Sequence, residues 1–170
     1  PTVLGIRFSS AGLLLLLFLL VLRRSLLPAP GERLGAFLLG AIGYAVESTF
    51  FFNGLERGTA AAVTLLFYAY PSIVTVIELA SGRRPHPKLI AAVALSAIGT
   101  GVVVAGGEAV SITTAGAVFA LLSAASFAVY LLVSHRVILR TDGLTTAAWV
   151  ASGAGLAQLT RAVVTSDLQA

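Results

Sequence analysis

Glu47 stands about midway along Leu34 to Leu55, a run with no other charged residue. A carboxylate in so apolar a stretch can hold a proton, meet a cationic solute or pair with an arginine. Helical spacing gives its direction. Gly40, Gly43, Glu47, Phe51 and Gly54 follow steps of three and four, so the acid shares a face with glycines and turns toward protein, not lipid. Arg7 is the candidate partner, because it lies at a similar depth in the preceding apolar run. At a rise of about 1.5 Å per residue the two depths differ by about 5 Å, within reach of a pair across one hairpin. Two readings stay open: a buried ion pair that locks two helices together, and a charged element that lines a substrate or proton path.

A second set lies downstream. Thr64, Tyr68, Pro71, Thr75 and Glu78 step by four, three, four and three, a polar stripe on one helix face. Pro71 near its middle removes one backbone hydrogen bond and predicts a kink that frees a carbonyl near Phe67. Transporters place such breaks beside midplane sites, whereas a packing kink with hydroxyls bonded to their own backbone is the plainer alternative. Glu78, near Arg83 and Arg84, reads as an interfacial salt bridge.

Other chemistries lack their residues. The chain has no cysteine, and His86 and His135 have no second ligand at metal spacing, so no metal or cofactor is expected. An intramembrane Ser/His hydrolase would need a histidine inside an apolar run, and none is there. The run GTGVVVAGG at Gly99 to Gly107 lacks the third glycine of a dinucleotide loop and sits in an apolar helix.

The elements that must position these residues follow from composition. Of 170 residues, 58% are hydrophobic and 11% charged, with a mean hydropathy of +0.98, against about a quarter charged in soluble domains. This is a membrane protein. Six stretches approach the roughly 20 residues that a crossing helix needs: Thr2 to Leu22, Leu34 to Leu55, Ala60 to Ala80, Lys88 to Gly106, Ala115 to Ser134 and Leu144 to Val164. Runs such as LLLLLFLLVL at Leu13 to Leu22 do not alternate, which excludes barrel strands. The fold class is therefore all-α, a polytopic helix bundle.

Charge placement orients it. Arg23, Arg24, Arg33, Arg83, Arg84, Lys88, Arg136 and Arg140 fall in alternate connections and make up eight of the eleven basic residues, which places those connections in the cytoplasm. The net charge of +4 forms no continuous basic stripe, so no nucleic-acid partner is expected. Small residues recur every fourth position and predict close helix packing: Ala97, Gly101 and Ala105; Gly116, Ala120, Ala124 and Ala128; Ala147, Ala151 and Gly155. A chain without methionine that opens on Pro1 in an apolar run is expected to be a piece of a longer protein.

Three blocks carry a resemblance. PTVLGIRFSSAGLLLL, then GYAVESTFFFNGLERGTAAAVTLLFYAYPSIVTVI, then PKLIAAVALSAIGTGVVVAG resemble the EamA-like carriers of the drug/metabolite transporter superfamily. The resemblance implies ten helices in two five-helix repeats of opposite orientation around a cavity for small organic solutes. Residues 1–107 would be the first repeat without its first helix, and 108–170 the start of the second. Many relatives end the proline-bearing helix with Gly-Glu, where this chain has SGRR at Ser81 to Arg84, so no role passes from that acid to Glu78.

An inverted repeat should relate the first and sixth spans. A shift of 143 matches Thr2 with Thr145, Ser9 with Ser152, Ala11 with Ala154, Gly12 with Gly155, Leu13 with Leu156 and Leu16 with Leu159, while Arg7 meets Val150. The expected function is export or exchange of a small metabolite or drug-like solute by alternating access in the bacterial cytoplasmic membrane. Arg7 and Glu47 would supply charge, Thr64, Tyr68 and Thr75 polar contacts, Pro71 a flexible break and Tyr130 a wall. The expected partners are the solute and the bilayer, and both proton coupling and a homo-oligomer fit this reading. A membrane-embedded assembly or sensor subunit that moves nothing is the alternative.

Overall fold

The computed structural model describes residues 2–82 and 111–167, with Pro87, Ile90, Ala91, Val93, Ala94, Leu95, Ile98 and Gly99. Most of the fourth expected span, including Ala97, Gly101 and Ala105, lies outside the described residues, as do Arg83, Arg84, His86 and Lys88.

The fold is all-helical. In chain order come α1 (Thr2–Val21), α2 (Arg33–Leu38), a π-helical turn (Leu39–Tyr44), α3 (Ala45–Leu55), α4 (Ala60–Phe67), α5 (Tyr70–Ala80), α6 (Thr114–Val137) and α7 (Gly143–Asp167). Among the described residues, four helical segments are long and apolar enough to cross a membrane: Val3–Val21, Arg33–Leu55, Ala60–Ala80 and Thr114–Val137. At 25 residues α7 is also long enough to cross, but Thr145, Thr146, Ser152, Gln158, Thr160 and Arg161 make it more polar. The leucine-rich face of α1 is exposed at Leu13, Leu14, Leu17, Phe18 and Leu20, as expected of a face in hydrocarbon.

The chain divides into two compact units, Pro1–Ala45 with Tyr130–Ala170, and Val46–Val129. In the first, α1 packs on α7, and the contact has a particular form. A methyl group added to Gly12 would lie 2.8 Å from Ser152 Oγ, and one added to Gly155 would lie 2.6 Å from Ser9 Oγ. Gly5 similarly faces Leu159, so residue numbers rise along one helix as they fall along the other, an antiparallel pair. Shifting by 143 turns Ser9 into Ser152 and Gly12 into Gly155. The two contacts are thus one contact made twice, as a local two-fold relation between α1 and α7 requires.

This packing corrects the small-residue ladder expected on α7. Ala147 is exposed and Ala151 half-buried, whereas Ala148 and Ala154 are fully buried and Gly155 is buried. The helix buries two faces, one toward α1 through Ser152, Gly155 and Leu159, the other toward Phe37, Gly40 and Ala41 through Val150 and Gly153. A single four-residue ladder could not describe both. On α6 the expected ladder stands: Gly116, Ala120, Ala124 and Ala128 are all buried.

The π-helical turn interrupts an otherwise continuous helix. Its end is marked by the Ala45 amide, which donates to Gly40 O, five residues back, and to Ile42 O. Gly40 allows this because a side chain there would collide with the Val150 carbonyl. Gln158, 1% exposed on α7, donates from Nε2 to Ala45 O at 3.2 Å, so a carbonyl at the irregular turn gains a side-chain donor.

In the second unit the expected kink at Pro71 takes the form of a break. α4 ends at Phe67, the Ala69 amide donates to Leu66 O in a tightened turn, and α5 begins at Tyr70 with Pro71 in its first turn. Proline is at ease there, because first-turn amides have no helical acceptor. Thr59 caps α4 by accepting from the Ala62 amide. The segment 57–59 pairs with 111–113 through Thr59 N to Ser111 O (2.8 Å) and Thr113 N to Arg57 O (3.0 Å).

Candidate functional site

The charged centre of the second unit is Glu47, 6% exposed on α3. Its Oε1 accepts from Ser123 Oγ at 3.0 Å, and Ser123 is fully buried on α6. Small residues let the two antiparallel helices approach this closely, since a methyl group on Gly54 would lie 3.5 Å from Gly116 O and from Ala120 N. Among the described residues of its unit the carboxyl thus meets a hydroxyl, a neutral partner that occupies one of its acceptor positions. Arg7 is exposed on α1 in the first unit.

Aromatic rings bracket the acid. Phe51, one turn along α3, meets Phe67 at 5.4 Å between centroids, and Phe127, one turn along α6 from Ser123, meets Phe67 at 5.3 Å and Tyr70 at 4.9 Å. Phe67 and Tyr70 flank the break before Pro71, so the irregular turn holds the aromatic wall together. Of the residues in the expected polar stripe, Thr64, Pro71 and Glu78 are half-buried and Tyr68 is 52% exposed. Thr75 is buried, with its hydroxyl donating to Pro71 O at 2.8 Å. That bond to its own backbone is the plainer alternative for this hydroxyl. Tyr68 meets Phe67 at 6.3 Å between centroids, while Tyr70 meets both Phe67 and Phe127.

In the first unit Tyr130 contacts Tyr44 at 5.9 Å, and Tyr44 contacts Phe8 at 5.3 Å, both edge-on. Gly43 makes room, since a methyl group there would lie 3.0 Å from the Tyr130 ring. Gln158 sits in the same unit. Its signal in the sequence was a lone amide between Ala157 and Leu159 in an apolar stretch.

Sequence reading also missed Glu32, which is 5% exposed just before α2. Its Oε1 accepts from the Leu139 and Arg140 amides at 3.1 and 3.0 Å, its Oε2 from the Thr141 amide at 3.0 Å and from the Thr141 hydroxyl. Trp149 Nε1 donates to Leu26 O and Thr145 Oγ1 to Ser25 O, so the 22–32 connection is fastened to the start of α7 as well. The bond from the Thr141 hydroxyl, opposed by burial and reinforced by the three amides, holds the Glu32 carboxyl at about 2, well below 4.5.

A depressed folded-state value means that the charged form stabilises the fold above about 4.5 and is lost as pH falls toward about 2. Hydrogen exchange at the Leu139, Arg140 and Thr141 amides should therefore show unchanged protection from this clamp between neutral pH and about 5. Glu32→Gln puts an N–H donor where both oxygens accept, and should lower that protection about tenfold at neutral pH.

The model of the EamA-like transporter family matches residues 1–105. Comparison with curated proteins gave no match, and comparison with solved structures gave none. The matched region holds α1 through α5, with both the buried acid and the proline break, and the apolar helices make this an integral membrane protein. The chain belongs to the EamA-like transporter family.

Proposed function

We propose that the protein carries a small organic solute across the membrane by alternating access, exporting or exchanging a metabolite or drug-like molecule. The observation that carries this reading is Glu47, a buried carboxyl in a membrane-crossing helix whose hydrogen-bond partner is the Ser123 hydroxyl. Among the described residues of its own unit no cation is paired with it, whereas a purely structural acid in lipid would be expected to have one. The rings of Phe51, Phe67, Tyr70 and Phe127 supply an apolar and aromatic surface beside it, suited to a solute with a flat or cationic group.

In this mechanism Glu47 and Ser123 hold the polar part of the solute, or a proton exchanged for it, while the break at Pro71 lets α4 and α5 change angle between states. Thr64 and Thr75 lie on the same broken span, Thr75 serving mainly to brace the turn. Tyr130 and Arg7 are further contact candidates from the first unit. The arginine-rich connections, including Arg24, Arg33 and Arg140, face the cytoplasm of a bacterial cell.

Vesicles containing the protein should accumulate or release at least one class among amino acids, nucleosides and cationic dyes faster than empty vesicles. No flux for any class, with stoichiometric capture of another membrane protein, would favour an assembly subunit instead.

A further inference from the structure

Beyond the carrier reading, the first unit contains a cavity of about 520 Å³ where the connection before α2 meets the start of α7. Arg24, Arg33 and Arg140 line it together with Ser25, Thr141 and Asp142. Three guanidinium groups against one lining carboxylate make a site for an anion, and guanidinium pairs with phosphate through parallel N–H donors. Arg24 and Arg33 enter no buried ion pair among the described residues, while Arg140 pairs with the buried Glu32 and donates to Pro30 O at 2.8 Å. Arg24 meets Asp142 at 3.3 Å with both side chains about half exposed, Arg33 Nε donates to Pro28 O at 3.3 Å, and Arg140 reaches Glu32 at 3.6 Å with its own side chain 69% exposed.

Size and surroundings narrow the anion. The cavity is larger than one phosphate needs and lies within the range of small-ligand pockets. Leu27 lines it, and Leu22, Leu27 and Leu139 in the connections around it are 45%, 51% and 75% exposed. Exposed leucines beside arginines at the end of α1, a membrane-crossing helix, match a molecule with a phosphate and hydrocarbon chains. We propose that this cavity binds the headgroup phosphate of an anionic phospholipid from the cytoplasmic leaflet. A headgroup held by Arg24 and Arg33 on one connection and Arg140 on the other would brace the two connections that Glu32 already clamps.

The full chain, purified in a neutral detergent, would be titrated with phosphatidylglycerol, phosphatidylcholine and inorganic phosphate, and binding read by native mass spectrometry. Phosphatidylglycerol should bind at a single saturable site more tightly than phosphatidylcholine. Arg24→Gln and Arg33→Gln should each weaken it about fivefold, and the double variant should weaken it more than either alone. Both side chains are exposed, and circular dichroism should report unchanged helix content in each variant. Equal binding of the two lipids, or wild-type affinity in the double variant, would overturn the proposal. Displacement of phosphatidylglycerol by an equal concentration of inorganic phosphate would overturn the lipid assignment and make the ligand a soluble anion.

Discussion

Glu47→Gln is expected to abolish transport, a loss of about 100-fold or more, in a protein that still inserts and folds. The substitution keeps the shape of the side chain, and its amide oxygen can still accept from Ser123, now 3.0 Å from Oε1. It removes the charge and the capacity to hold a proton. Helix content and thermal stability should therefore stay close to wild type, because a buried neutral amide costs less to desolvate than a carboxylate. Ser123→Ala should have a smaller effect, about tenfold, since it deletes one hydroxyl donor and leaves the acid in place. Wild-type flux in the Glu47→Gln protein would return the carboxylate to a structural role.

Gly40→Ala should be the most damaging single methyl group added to the described helices. Its Cβ would collide with the carbonyl, the carbonyl carbon and the Cα of Val150, all backbone atoms that cannot swing aside. Overpacking of that kind costs about 3 kcal/mol or more, against which the higher helix propensity of alanine returns only about 1 kcal/mol. The π-helical turn and the seat of Gln158 on Ala45 O depend on the same approach, so the variant should express poorly and melt early. Gly143→Ala is the control, since a Cβ there meets nothing within 4 Å. It should be neutral or slightly stabilising in the same melting assay.

What could be read in advance was set by composition and period. Apolar runs long enough for a bilayer became α1, the Arg33–Leu55 segment, the α4–α5 span and α6, and steps of four found the buried ladder on α6. Proline located the break between α4 and α5. Rotation and phase were harder to see. The π-helical turn arises where Gly40 meets a distant carbonyl, so no local residue pattern announces it. α7 buries two faces, and a count by fours on one of them chose Ala147 where Ala148 is the buried residue.

The candidate site divides in the same way. Glu47 was conspicuous as the one charge in its run, and on its face Gly40, Glu47 and Gly54 are buried while Gly43 and Phe51 are half-buried. Its partner Ser123 is one of several serines on apolar helices, and nothing local distinguishes it. Glu32 looked like an ordinary loop acid, because its acceptors are met by amides more than a hundred residues away. Such long-range satisfaction is invisible to spacing rules.

The central claim is that the Glu47–Ser123 pair becomes reachable from water during a transport cycle. The protein's lack of cysteine allows a direct test with one introduced thiol, Ser123→Cys, treated in sealed vesicles with a small, charged, membrane-impermeant thiol reagent. The account predicts modification under native conditions, slower than at the exposed position of Leu139→Cys, and a rate that changes when a transported solute is added. Modification at Leu139→Cys but none at Ser123→Cys until the protein is denatured would contradict it.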